Sequence, residues 1–142
     1  MNSEEMSKFE FLLGDWNLEY RIPESTMSKA GSDSGFGSFK RALNDKYVIF
    51  DYSTKSGGQA KGIFAWDSKI KKYRYWWFEN SGSFLSATCD FINDNTLAMN
   101  WHDSLLIQTF TRENSDMVIL HMQNPSSKGD YQLVLEVIFT RQ

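Results

Sequence analysis

The sequence predicts an all-β fold: a single antiparallel up-and-down β-barrel of about ten strands, spanning residues 1–142 as one domain, with a short N-terminal helix. Runs of β-type residues recur at the regular spacing that is typical of sandwiches and barrels. Short turn sequences separate the runs, so each strand is expected to pair with its neighbour in sequence. Aromatic residues make up 15% of the chain, which predicts a core rich in rings. A twisted meander of this length closes on itself and so removes its exposed edges.

The first segment changes its hydrophobic period from that of a helix to that of a strand. Residues 3–13 are expected to form a short helix, with Ser3 as its N-cap and Gly14 at its exit. One face of this helix is apolar and consists of Met6, Phe9, Leu12 and Leu13. From residue 15 to residue 22 apolar and polar side chains alternate, which predicts a half-buried first strand.

A loop and nine further strands are expected after this first strand. Residues 24–37 are rich in Ser and Gly, which predicts one long loop beside the barrel mouth. The later strands are expected at residues 36–43, 47–54, 59–66, 72–79, 84–91, 96–101, 105–112, 116–123 and 131–140.

Charge and cysteine content indicate which classes of partner and which cellular compartment to expect. The net charge of -3 argues against nucleic acid as a partner, since the Lys and Arg residues are scattered except for Lys69, Lys71, Lys72 and Arg74. The single Cys89 has no intramolecular disulfide partner, and residues 1–8 hold no apolar run of signal-peptide length. No apolar stretch approaches the length of a spanning helix. We therefore expect a cytoplasmic protein without a membrane partner.

The two ends of the chain carry a distinctive combination. Gly14 and Trp16 form a Gly-x-Trp at the start of the first strand, and Arg141 closes the last strand. This combination resembles the calycins, the superfamily of lipocalin-like barrels. The resemblance implies that Trp16 plugs the closed end while Arg141 lies across its indole, a contact worth about 0.5–2 kcal/mol. Gly14 would then allow the close turn beside that ring.

Several segments also resemble one uncharacterised lipocalin-like family, domain of unknown function 1579. The matching segments are residues 11–16, 37–41, 60–67, 72–73 and 110–112. Where that family commonly has Gly-Tyr-Asp, this chain has Ala65-Trp66-Asp67, which keeps an aromatic residue beside the turn. The resemblance implies the barrel fold and carries no activity.

One strand face mixes large rings with a few polar groups, as a ligand pocket requires. With simple hairpin registers this face gathers Phe64, Trp66, Tyr75, Trp77, Ser86, Thr88, Met99, Trp101, Gln108 and Glu136. The opposite face gathers Trp76, Phe78, Leu85, Ala87, Cys89 and Ile107. We expect a small apolar or amphiphilic ligand to be bound by Trp66, Tyr75, Trp77, Trp101, Gln108 and Glu136. The alternative is a solid barrel that forms a homodimer through exposed rings such as Trp76 and Phe78.

No catalytic motif and no metal-ligand spacing is present, so catalytic residues, a metal site and a cofactor are not expected. Glu136 lies in an apolar run, where it would orient a ligand or act as a base; in the competing interpretation it lies on the outer face or pairs with an Arg. A less favoured alternative is a barrel enzyme with Glu136 or His121 as its base. A haem held by His121 is a remote alternative, because the residues after Trp16 are Asn17-Leu18-Glu19 and lack the glycines of haem-binding barrels.

Overall fold

The computed structural model describes residues 4–24, 29–125 and 129–142. Ten antiparallel strands form a closed barrel in which each strand pairs with its neighbour in sequence and the last strand pairs with the first. The strands are β1 (Gly14–Ile22), β2 (Gly31–Ala42), β3 (Tyr47–Thr54), β4 (Gln59–Asp67), β5 (Lys72–Glu79), β6 (Phe84–Asn93), β7 (Thr96–Trp101), β8 (Ile107–Asn114), β9 (Met117–Pro125) and β10 (Tyr131–Arg141). The prediction of an all-β up-and-down barrel is confirmed.

The N-terminal helix closes one end of the barrel. It is a 3₁₀ helix over Met6–Leu12 without a side-chain cap, and the predicted cap Ser3 lies outside the described residues. Its Phe9 ring is fully buried and contacts Phe64 and Tyr73 at centroid distances of 4.7 and 5.0 Å. The apolar face that the sequence predicts for this helix therefore packs into the barrel end. In the parts of the chain that the structure describes, no helix has the length and hydrophobicity needed to cross a membrane.

The predicted loop at residues 24–37 is wrong in its second half, because β2 begins at Gly31. Two of its glycines are required by close packing inside the barrel rather than by a turn. A Cβ atom at Gly37 would lie 2.6 Å from the Phe50 ring, and one at Gly35 would overlap the Ser53 carbonyl oxygen. Glycine inside a strand marks such an approach. Part of the remaining loop, residues 25–28, lies outside the described residues.

Trp16 and Arg141 meet at the closed end, where β1 pairs with β10. The Trp16 ring is fully buried, and the Arg141 Cζ atom lies 4.1 Å from its centroid. The helix carbonyls that lack helical partners accept bonds from these two side chains. Trp16 Nε1 donates to the Leu12 oxygen at 2.8 Å, and Arg141 donates to the oxygens of Leu13 and Phe11 at 2.7 and 3.1 Å. The two side chains thus join the barrel seam to the helix.

Gly14 links the helix to β1 in a conformation that other residues rarely adopt. Its φ angle is +117°, and a Cβ atom there would lie 2.7 Å from the Arg141 Nη1 atom. The position therefore needs glycine both for its backbone angle and for the space that the guanidinium occupies.

The substitution Trp16→Ala tests this arrangement. We expect it to lower the free energy of unfolding by about 3–5 kcal/mol, because it empties the fully buried plug and removes the ring under Arg141. Urea denaturation measures the change. Trp76→Ala is the control, since that side chain is 36% exposed on the outer face and its loss should cost clearly less. Equal losses for the two variants would contradict the plug.

Candidate functional site

A cavity of about 300 Å³ lies inside the barrel, toward the end opposite Trp16. This volume is at the lower limit of small-molecule pockets. One part of the lining is aromatic and includes Tyr20, Phe50, Tyr52, Tyr75, Trp77 and Trp101. The other part is aliphatic and includes Leu85, Leu106, Leu120, Met122, Leu135 and Val137. The Trp16 side chain fills the closed end, and the cavity extends from the mouth inward to Phe110 and Phe139.

The aromatic lining continues the core as a column of nearly parallel rings. Phe39 and Phe50 stack at 4.2 Å with an angle of 9° between their planes. Tyr52 lies 5.7 Å from Phe50 at 15°, and Trp77 lies 5.1 Å from Tyr52 at 18°. Such contacts between rings add about 0.5–1.5 kcal/mol each beyond the burial of their area. The column gives this wall of the cavity a defined shape.

Polar groups in the cavity are few and differ in their surroundings. Gln108 is only 5% exposed, and its Nε2 atom donates to the Met99 Sδ atom at 3.5 Å. The buried Nε1 atom of Trp101 has no hydrogen-bond partner among the described residues. Glu79 and Asp103 stand at the mouth, exposed to solvent. Glu79 accepts a bond from Trp77 Nε1 at 2.9 Å.

The tyrosines of the cavity are held in their neutral form. Burial raises the pKa of Tyr75 well above its usual value. Burial also raises the pKa of Tyr20 and of Tyr52, and the Glu79 carboxylate adds to the effect on the pKa of Tyr52. The Tyr20 and Tyr52 rings meet edge-on, with 6.1 Å between their centroids. These side chains therefore offer a ligand hydroxyl groups and ring surface, not phenolate charge.

The structure places four of the six predicted ligand residues in the cavity wall, namely Tyr75, Trp77, Trp101 and Gln108. Trp66 lies elsewhere, at the closed end, where its ring meets the Tyr73 ring edge-on at 4.9 Å. Trp66 is near the end of β4 and therefore at the level of the N-terminal helix.

Glu136 and His121 face away from the cavity. They are opposite one another on β10 and β9, and His121 Nε2 lies 2.8 Å from Glu136 Oε2. Arg21 Nη1 lies 3.7 Å from the second Glu136 oxygen. The register places apolar Leu120 and Val137 inward, which leaves the polar pair outside. Glu136 therefore lies on the outer face of the barrel with Arg21 as a partner, as the competing interpretation held. The expectation that it lies in the lumen was wrong.

The same placement bears on the haem alternative. An axial histidine has to face the cavity that holds the haem. His121 faces the other side of its strand, so it has no access to a group bound inside the barrel. In the described ranges, no group of three or more His, Cys, Asp or Glu side chains is arranged to hold a metal ion.

The expected orientation of β6 is wrong by one residue. Ser86 and Thr88 face outward, while Ala87 and Cys89 are buried opposite Tyr75 and Tyr73. The cause is the turn that leads into β6, in which Glu79 N donates to the Ser83 oxygen. With this turn length, odd-numbered residues of β5 lie opposite odd-numbered residues of β6. Composition alone does not reveal the length of the turn.

Sequence reasoning missed Tyr20 and Tyr52 as cavity residues. A usable signal was present in the alternation of each strand. Tyr20 continues the inward series of Trp16 and Leu18, and Tyr52 continues that of Phe50. Both tyrosines stand toward the mouth ends of their strands, where the core gives way to the cavity.

Solved structures share this barrel. Rv2717c from M. tuberculosis matches with a TM-score of 0.69 at 11% identity, over 100% of this chain and 99% of that one. The S-type phycobiliprotein lyase CPES from Guillardia theta matches with a TM-score of 0.52 at 11% identity, over 100% and 93%. A de novo designed fluorescence-activating β-barrel matches with a TM-score of 0.50 at 14% identity, over 94% and 95%. At these identities the likeness shows the fold alone, a closed antiparallel β-barrel.

No family model matches the chain, and no curated protein matches it either.

Alkaline titration tests the burial of the tyrosines. The folded protein keeps phenolic protons that the unfolded chain loses near pH 10, since burial raises the pKa of Tyr73 to about 12 and those of Tyr20, Tyr52 and Tyr75 as well. This contribution to stability is present below pH 10 and is lost as the pH rises through the folded pKa values. We expect the 295 nm absorbance change of these residues to coincide with loss of the circular dichroism of the strands. Full ionisation near pH 10 in a folded protein would contradict their burial.

Gly62→Ala tests the position of the Tyr75 ring. A Cβ atom at Gly62 would overlap the Tyr75 Oη atom, and Tyr75 is packed against Phe64 at 4.3 Å. We expect a loss of about 1–3 kcal/mol in unfolding free energy, measured by urea denaturation. Gly31→Ala is the matched control, because no atom lies within 4 Å of its Cβ position. An unchanged stability of Gly62→Ala would show that Tyr75 is not fixed there.

Proposed function

We propose that this barrel binds a small apolar or amphiphilic molecule in its mouth-side cavity. The observation that carries the proposal is the cavity of about 300 Å³ with its mostly apolar lining and its few polar groups. Tyr52, Trp77 and Trp101 supply ring surface near the mouth, and Gln108 supplies a buried amide. This combination of apolar walls with a small number of orienting polar groups is what small-molecule sites have in common.

The free energy of filling the cavity favours a ligand. A space of this size corresponds to about ten water molecules at their liquid volume. Most of its wall offers them no hydrogen bond, since side chains such as Leu120 and Val137 are apolar. An apolar molecule that displaces this water gains about 25 cal/mol of favourable free energy per Å² of apolar surface that it buries. The rings of the column contact one another within the fold, so few side chains have to be ordered on binding.

The structural neighbours support the proposal only through the fold. Their names concern a lyase of phycobiliproteins and a barrel that activates fluorescence. One fold hosts many functions, so the proposal rests on the cavity of this chain and not on those names. We also propose that the chain is a single domain of the family of unknown function 1579 and that it acts in the cytoplasm, as expected from its sequence.

The homodimer alternative keeps one supporting observation. Phe36, Phe78 and Phe84 are 56%, 46% and 72% exposed on the barrel surface. This alternative assumed a solid barrel, whereas the barrel contains a cavity. The oligomeric state, measured by native mass spectrometry of the freshly purified protein, addresses this alternative, and the same spectrum reveals any small molecule that co-purifies.

Binding of the neutral fluorescent probe N-phenyl-1-naphthylamine tests the proposal directly. We expect saturable fluorescence enhancement with a micromolar Kd for the wild-type protein, because the probe is apolar and of a size that the cavity admits. The variant Leu135→Trp fills the cavity and should weaken binding at least about tenfold.

Ile138→Trp provides the matched control for that variant. It adds a ring to the same strand, on the outer face, and should leave the affinity within about twofold of wild type. Equal affinities for wild type and Leu135→Trp would place the probe outside the cavity and contradict the proposal.

A further inference from the structure

Apart from tyrosine and cysteine, Gln108 is the one buried residue with a polar or charged side chain among those that the structure describes. It lines the cavity, and its Nε2 atom has a thioether sulfur, Met99 Sδ, as its acceptor at 3.5 Å. A thioether is a weak acceptor. A buried amide that lacks a good partner costs free energy, so an apolar residue of similar shape would serve the fold better at this position. The position of Gln108 in the cavity wall therefore indicates a role toward a bound molecule.

A second donor on the same wall points the same way. Trp101 lies on β7 two residues beyond Met99, the cross-strand partner of Gln108, and its indole lines the cavity. Its buried Nε1 atom has no hydrogen-bond partner in the described part of the chain. Two N–H groups on neighbouring strands thus lack a strong acceptor. An acceptor atom on a ligand at this wall would satisfy the Gln108 amide.

The charges around the cavity indicate which kind of acceptor group a ligand carries. Among the described residues that line it there is no Lys, Arg or His, while Glu79 and Asp103 stand at the mouth. A carboxylate ligand would lose its hydration in the cavity without gaining a cation, and it would pass two negative charges on entry. Molecules of the fatty-acid type are therefore disfavoured.

We infer that the ligand of this cavity is an uncharged molecule with a carbonyl-type acceptor, and that Gln108 is the residue that selects it. The inference rests on the proposed function and names the ligand class of the same site. The amide of Gln108 donates to the carbonyl, and the surrounding rings and aliphatic side chains hold the apolar remainder. Because the acceptor is fixed at one wall, the ligand binds in one orientation.

Three naphthalene derivatives of nearly equal shape test the inference. 2-Acetylnaphthalene carries a neutral carbonyl, 2-ethylnaphthalene lacks it, and 2-naphthoate replaces it with an anion. Their Kd values are measured by displacement of N-phenyl-1-naphthylamine at pH 7. The variant Gln108→Met keeps the side-chain length and removes the amide, and Leu120→Met is the control at another buried cavity residue.

The readout is the ratio of the ethyl Kd to the acetyl Kd, since it cancels general changes in the cavity. We expect this ratio to fall about fivefold from wild type to Gln108→Met and to stay constant in Leu120→Met. Gln108→Met should also melt at the same or a higher temperature, because the amide has no strong partner within the fold. A ratio that is unchanged in Gln108→Met would overturn the inference, whatever the melting temperature of the variant.

The anion tests the charge argument. We expect 2-naphthoate to bind at least about tenfold more weakly than the ketone in wild type. The double variant E79Q with D103N should narrow that difference about fivefold, since it removes both charges while an amide oxygen at position 79 still accepts from Trp77. Naphthoate that binds as tightly as the ketone would overturn the inference while leaving the proposed function intact. Failure of all three compounds and of the probe to bind would instead contradict the proposed function.

Discussion

The contact between Arg141 and Trp16 joins the three parts on which this barrel depends. The two residues are cross-strand partners in the pairing of β1 with β10, the seam that turns a meander into a closed sheet. Their side chains also bond the carbonyls of Phe11, Leu12 and Leu13, which attaches the 3₁₀ helix to that seam. A guanidinium held between an indole face and carbonyl oxygens has both charge and donors satisfied. The same two side chains therefore close the sheet and attach the helix that plugs its end.

The plug decides where the barrel is hollow. Phe9 and Trp16 are fully buried at the helix end, whereas at the other end Asp103, Ser104 and Leu106 of the β7–β8 loop line free space. The column from Phe39 to Trp77 connects these halves, so the rings that form the solid core also shape the cavity wall. Glycines at positions such as Gly62 make room for large rings on facing strands.

The order of the strands and most of their bounds were predictable because turn chemistry and alternation are local signals. The start of β2 at Gly31 was not, because its Gly and Ser residues have the composition of a loop. The closing pair Trp16 and Arg141 was predictable through a resemblance rather than through any local rule. Which side chains of each strand face inward was only partly predictable, because this depends on the exact length of the preceding turn. The turn at residues 79–83 exchanged the inward and outward side chains of β6 relative to the prediction. Glu136 illustrates the same limit, since its position follows from pairing with His121 across a sheet register that no short-range pattern encodes.

The seam also sets an order of events during synthesis. Arg141 bonds Leu13 across 128 positions of sequence, so β1 leaves the ribosome long before β10 exists. Until then β1 has β2 on one side and an open backbone edge on the other. High contact order makes closure slow, and an unpaired edge is the site at which nascent chains pair wrongly. β1 carries the charged residues Asp15, Glu19 and Arg21 on its outward face, and charges on an open edge strand disfavour such mispairing.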